Sequence, residues 1–315
     1  LGRYLAQRAL ALVPIFLLMT VIVFLLIRLV PGDPIDVMYG AEGMDATRRE
    51  ALRQELGLDQ PVAMQYVRWL GRALTGDLGN SYKAQRTVVE LIGQRLPATL
   101  LLSFAALLVS VIIAIPLGII AAVRRNTGAD IFAMVFAILG ISLPNFWCGI
   151  LFVLIFAVSL GWLPSIGYVS PLEDPLKALR HLALPAVTLG WSLAGATTRL
   201  TRSTLLEELG RDYVRTARGK GVYERLVLTR HALRNALIPT VTMIGLQLGF
   251  LIGGAVVVEA VFAWPGIGML LVDSIFGRDY PVVQGVILTV AIFVVLINLI
   301  VDLLYTLLDP RIRLG

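Results

Sequence analysis

Few residues in this chain of 315 could do chemistry, and their types exclude most kinds. Cys148 is the single cysteine and lies in an apolar stretch, so neither an intrachain disulfide nor a Cys-x-x-Cys metal site can be built. His181 and His231 are the only histidines and lie far apart, so a soft-metal site within this subunit is not expected. Gly219-Lys220-Gly221 lacks the upstream glycine and the following hydroxyl of a phosphate-binding loop, so the chain is not expected to bind nucleotide. No Ser/His/Asp set or carboxylate pair is spaced for catalysis. A non-enzymatic chain with no cofactor or metal of its own is expected.

What remains is a polar, basic segment and a few isolated carboxylates. Between Arg199 and Arg234 stand nine Lys or Arg residues, flanked by apolar stretches. Helix formers from Ser203 to Ala217 run into Gly219-Lys220-Gly221, where two glycines permit a backbone turn. Beyond it, at about 100° per residue, Val222, Leu226, Thr229, Leu233 and Leu237 share one arc of about 80°, with Glu224 and His231 pointing away. Two short helices at an angle are expected, one face packed inward and the other offered as a docking element. An ionisable residue at membrane depth costs about 2.5–3.5 kcal/mol and must face protein or water. Glu259 and Asp273 are therefore candidate pathway or gate residues, and Asp302 is expected to pair with a loop arginine.

The elements that position these groups follow from composition. With 57% hydrophobic and 15% charged residues and a mean hydropathy of +0.83, the chain is expected to be an all-α, polytopic membrane protein. The net charge of +6 resides beside apolar spans, which marks membrane topology rather than nucleic-acid binding. Six transmembrane helices are expected, near Ala9–Leu29, Ala98–Val123, Ile131–Leu160, Leu182–Thr198, Ala236–Val258 and Val283–Leu308. The first reads as a retained helix, not a cleaved signal. Arg124, Arg125, the segment 199–235, Arg311 and Arg313 lie on one side, so both termini are expected in the cytoplasm. The organisation is thus 1–30 as N-terminal segment and first helix, 31–97 as an external helical cap, and 98–315 as the core. Within the cap, helices are expected over Asp45–Gly57 and Val62–Leu74, the second followed by a turn at Gly76-Asp77-Leu78-Gly79. Gly245, Gly249 and Gly253 recur every fourth residue and permit close helix packing, within the chain or across a dimer.

Arg215-Thr216-Ala217, three residues and then Gly221 resemble the EAA---G signature of ABC importer permeases, which inserts into a groove on an ATPase subunit. The resemblance to the dipeptide, oligopeptide, nickel and glutathione branch runs along nearly the whole chain. It includes VPGDP at Val30–Pro34, LGLDQP at Leu56–Pro61, GDLG at Gly76–Gly79, GWLP at Gly161–Pro164, RTARGKG at Arg215–Gly221, HALRNALIP at His231–Pro239, WPGIG at Trp264–Gly268 and RDYP at Arg278–Pro281. Arg215 replaces the leading glutamate of the general signature, so no role of that carboxylate carries over. The resemblance implies a type I ABC importer permease fold, with Arg215, Thr216, Ala217, Gly219, Gly221 and Val222 coupling it to ATPases. It further implies a second homologous permease, as a heterodimer, two ATPase subunits that bind ATP and Mg, an extracytoplasmic solute-binding protein, and a bacterial cytoplasmic membrane. Peptides or glutathione-like solutes are the implied cargo, with nickel complexes, opines or oligosaccharides as alternatives. A stand-alone channel or ion-coupled carrier is the alternative of another class.

Overall fold

In a computed structural model of the chain, residues 13–25, 47, 50, 51, 54 and 59–308 are described, 302–308 by backbone alone. The described residues form helices and no strand, apart from one isolated bridge between Asn80 and Thr87. The helices are α1 (Val13–Leu25), α2 (Val62–Leu74), α3 (Val88–Val123), α4 (Gly128–Ser142), α5 (Asn145–Phe152, continued by a π-helical stretch Val153–Ser159), α6 (Pro175–Leu209), α7 (Asp212–Gly219), α8 (Leu233–Gly254), α9 (Val256–Val261), α10 (Ile267–Phe276) and α11 (Tyr280–Leu308). Before α8 come one helical turn, Glu224–Leu226, and a second π-helical stretch, Val227–Ala232.

Three helices are long and apolar enough to cross a membrane: Val88–Val123, Glu224–Gly253 and Tyr280–Val301. They become four if α4 and the helix after it form one broken span. At 36 residues α3 is about 54 Å long, well beyond a hydrocarbon core of about 30 Å. Its Phe104, Leu108 and Ile112, spaced four apart, are 65%, 51% and 62% exposed, an apolar stripe that suits lipid and not water.

Several expected boundaries move. The expected span Ile131–Leu160 is broken, because Leu143 precedes Pro144 and takes extended backbone; the two halves meet at 108°. The fourth expected span, Leu182–Thr198, is the middle of the 35-residue α6. Polar residues at both ends hide that helix from a hydropathy reading. Its start is explicit: the Asp174 carboxylate accepts the Lys177 N–H at 3.0 Å and Pro175 follows the cap. Val62–Leu74 is helical as expected, and Gly76 and Gly79 take left-handed backbone in the turn after it. Of the helix expected over Asp45–Gly57, residues 47, 50, 51 and 54 are helical and the rest lie outside the described residues.

The chain divides into two compact units, Leu1–Pro97 with Met269–Phe293, and Ala98–Gly268 with Val294–Gly315. In the first, α2 lies on α1 through aromatic contacts: the Phe24 ring is 5.4 Å from Tyr66 and 5.8 Å from Trp69. Thr20 and Tyr66 also share a hydrogen bond of 2.8 Å.

The second unit is organised around α6. A Cβ at Gly190 would meet Val109 and the Ala106 carbonyl of α3 at 2.7–2.8 Å, and one at Gly195 would strike the Ala137 carbonyl of α4. From the other side, a Cβ at Gly118 of α3 would meet Thr201 at 2.6 Å, and one at Gly140 of α4 the Trp191 carbonyl at 2.7 Å. Glycine is required there by backbone proximity. Between α6 and α8, Thr197 and Gln247 hydrogen-bond to each other, and the Thr204 hydroxyl donates to the Ala236 carbonyl at 2.9 Å.

Gly195→Val is expected to lower the melting temperature of the detergent-solubilised protein, since overpacking costs about 1–3 kcal/mol. Gly93→Ala, where an added Cβ meets nothing within 4 Å, is expected to be neutral or stabilising by up to about 1 kcal/mol. Equal losses in both variants would contradict the packing account.

Candidate functional site

The segment between α6 and α8 is a folded elbow. The long helix α6 ends at Leu209, Gly210-Arg211 breaks the path, and α7 runs from Asp212 to Gly219. The expected run of helix from Ser203 to Ala217 is therefore two helices. Val214 and Ala217 of α7 enter an apolar cluster with Ala122, Leu205, Val227, Ala232 and Ala236, so the inner face is fastened to three long helices of its unit. The Tyr213 hydroxyl hydrogen-bonds to the Glu208 carboxylate and to the His231 carbonyl at 3.3 Å, and accepts the Asn235 side-chain N–H at 3.2 Å. Partial burial, then the Glu208 carboxylate, raises the Tyr213 phenol above its ordinary pKa.

The turn itself rests on Gly221, whose φ of +76° is a left-handed conformation that L side chains resist. Gly219 carries no such constraint; it is the last residue of α7. Across the turn the Arg218 guanidinium forks onto Glu224 at 2.6 and 3.0 Å. At the tip Tyr223 is 81% exposed, between Lys220 and Arg225, which form no ion pair among the described residues.

The six residues singled out from sequence divide by direction. Arg215, Thr216, Gly219 and Gly221 are exposed, whereas Ala217 is buried and Val222 packs against the apolar cluster. The expected arc holds at Val222 and at Leu233, which also packs against the cluster, and is corrected between them: Leu226 and Thr229 are exposed, and the fully buried residues are Val227, Ala232 and Ala236. The π-helical stretch Val227–Ala232 turns less per residue than an α-helix, which shifts the phase on which the arc was drawn. Tyr223 was missed altogether. Nothing in its spacing distinguishes it from the neighbouring polar residues.

The two candidate gate carboxylates fall in different settings. Glu259 in α9 is fully buried and accepts the Thr99 hydroxyl at 2.7 Å, while Thr99 accepts the Ile267 N–H at 2.8 Å. A Cβ at Gly266 would strike the Glu259 carboxylate, so this network fixes the Trp264-Pro265-Gly266 bend. The Trp264 indole N–H donates to the Ala98 carbonyl at 2.9 Å in the same place. Asp273 is exposed on α10, and the Asp302 side chain lies outside the described residues. A third carboxylate, Asp279, holds a turn in place. It is 4% exposed and accepts the Ser81 hydroxyl at 2.5 Å, the Tyr82 N–H at 3.1 Å and the Lys83 N–H at 3.4 Å. Burial, then the Asp279 and Tyr280 oxygens, pushes the Tyr82 phenol up to about 12. Of the spaced glycines, Gly245 packs against Val301 of its own chain. Gly249 and Gly253 line an open groove with Leu246, Phe250, Val294 and Asn298.

An all-helical chain with apolar spans, lipid-suited outer stripes and a solvent-facing basic elbow defines a polytopic helical membrane protein. The chain belongs to the family of binding-protein-dependent transport system inner membrane components, whose model matches residues 114–314; the N-terminal model of the same systems matches residues 1–103. It is 46% identical over 311 residues to the glutathione transport system permease protein GsiC of Escherichia coli (strain K12), covering 99% of each chain. The GsiC of Salmonella typhimurium (strain LT2) is equally similar. Among solved structures, inward-facing conformations of the MetNI methionine ABC transporter share the fold, with a TM-score of 0.58 at 21% identity over 70% of this chain and 96% of that one. A second crystal form of MetNI gives 0.57 at 20% identity.

Asp279→Ala is expected to speed hydrogen exchange of the Tyr82 amide by at least about tenfold, because a hydrogen bond to a charged acceptor contributes about 1.5–3 kcal/mol. Exchange at α7 is expected to stay unchanged. Unaltered exchange at Tyr82 would contradict the anchoring role of Asp279.

Proposed function

We propose that this chain is the membrane-spanning permease of an ATP-driven importer for glutathione-like or other small peptide solutes, working by alternating access. The observation that carries the reading is the elbow: a short basic helix with an apolar face buried on its own core and an exposed aromatic tip beyond a left-handed glycine. Such an element accepts a push from a soluble partner and passes it to α6 and α8, which it directly joins. Membership of the family and the names of the GsiC relatives support the importer class and the cargo.

On this reading two ATPase subunits bind ATP and Mg on the cytoplasmic side and grip Arg215, Thr216 and Tyr223. A second, homologous permease completes the pathway, and the open groove beside Gly249 and Gly253 is the surface that supports its packing. An extracytoplasmic solute-binding protein delivers cargo to the opposite side. The chain then has six spans, both termini in the cytoplasm, and residues 31–97 as an external cap. Glu259 acts by holding the bend at Gly266, and Asp273 is the carboxylate free to meet solute. Cations on the elbow outnumber anions, which suits an acid-rimmed groove on the ATPase.

The test is uptake by proteoliposomes holding the chain with its partner permease and ATPases. Gly221→Asp, which places a carboxylate on the exposed turn of the basic elbow, is expected to insert normally and to lose ATP-driven uptake by at least about tenfold, since like charges set against each other at an interface cost several kcal/mol. Normal uptake by Gly221→Asp would contradict the coupling assignment. Uptake that persists after every ATPase subunit is removed would instead identify a channel or ion-coupled carrier.

A further inference from the structure

A partly buried ion pair lies outside the elbow yet grips the helix that carries it. Asp130, in the first turn of α4, presents a carboxylate that is 6% exposed; Arg202, two turns before the end of α6, is 24% exposed. The Arg202 Nε donates to Oδ1 at 2.7 Å and its Nη2 to Oδ2 at 2.8 Å, a two-pronged fit. Oδ2 also accepts the Asn126 N–H at 2.9 Å, and Asn126 takes a left-handed φ of +62° to deliver it.

The position of the pair gives it meaning. Near Arg202, α6 is held to α3 by packing at Gly118 and to α8 by the Thr204 hydrogen bond. Those contacts sit on the same stretch of helix as Arg202, and the pair adds α4 to them. α4 in turn leads to the 108° break at Pro144. Desolvating such a pair offsets much of its attraction, so an apolar replacement of similar volume is often equally stable. What the fork supplies that apolar packing does not is direction: α4 cannot slide or rotate against α6 without losing two hydrogen bonds.

We propose that Asp130 and Arg202 are a positioning pair that makes the start of α4 move with the elbow-bearing end of α6, so that displacement of α7 reaches the broken span. The proposal rests on the coupling role given to the elbow above. It is tested in the assembled transporter by the ratio of solute imported to ATP hydrolysed, measured with glutathione. Asp130→Asn and Arg202→Lys are each expected to assemble and to hydrolyse ATP while importing at least about threefold less per ATP, within the range of mutational effects on coupling. The two together are expected to lose no more than either alone. Because either change could impair folding, the paired apolar replacement Asp130→Leu/Arg202→Met is the decisive variant: it is expected to match the wild type in assembled amount and melting temperature and still import less per ATP.

A wild-type ratio in that paired variant, or additive losses in the two single variants, overturns the proposal. So do losses that only track the amount of assembled complex. ATP-independent import by the wild type would overturn the reading beneath it, and the role of the pair with it.

Discussion

The close approach of α6 to its neighbours is the constraint on which the second unit depends. In a bilayer the lipid tails compete on equal terms with apolar side chains, so helices associate through tight packing and hydrogen bonds. Gly118, Gly140, Gly190 and Gly195 each remove a side chain where backbone or Cβ atoms of another helix would otherwise collide with it. Trp191 uses the space at Gly140 to donate its indole N–H to the Phe136 carbonyl at 3.2 Å. A helix seated this way has few alternative positions, so a force at one end is transmitted and not dissipated.

The same helix leaves the packed region at its polar end and hands over to the elbow. Chemistry there is divided by face. Val214 and Ala217 are buried with residues of α3, α6 and α8, while the charged residues pair among themselves or face outward. Exposed ion pairs of this kind contribute little to stability, about 0–1 kcal/mol each. The buried apolar face and the left-handed Gly221 therefore set the shape of the elbow, and the surface charges set what it can meet. On the proposed coupling role that surface exists to meet a soluble partner, and the geometry names the residues that would do so.

Much of this was legible in the sequence, for identifiable reasons. The elbow was visible because nine cations in an apolar chain break the hydropathy pattern, and Val62–Leu74 because glycines and a proline bound it. The break at Pro144 was passed over because apolar character continues across it. The buried line was misplaced at Leu226 and Thr229 because a π-helical stretch changes the angular step without changing composition. Asp130, Arg202 and Asp279 do not stand out in the sequence because their partners lie 72 to 198 residues away, beyond any local pattern. Glu259 was recognised as unusual at membrane depth, but its bond to Thr99 comes from another helix.

The central claim, that the exposed face of the elbow meets an ATPase, is tested most directly by site-directed cross-linking. Cys148 is the single native cysteine, so a Cys148→Ser background leaves the chain free for single reporters. Cysteines placed at Arg215 and Tyr223 are expected to cross-link to the ATPase subunit in the assembled transporter, with a yield that changes on adding ATP. Cysteines at the buried Val214 and Ala217 are expected to give none. Cross-links that form equally from all four positions, or from neither exposed one, would contradict the account.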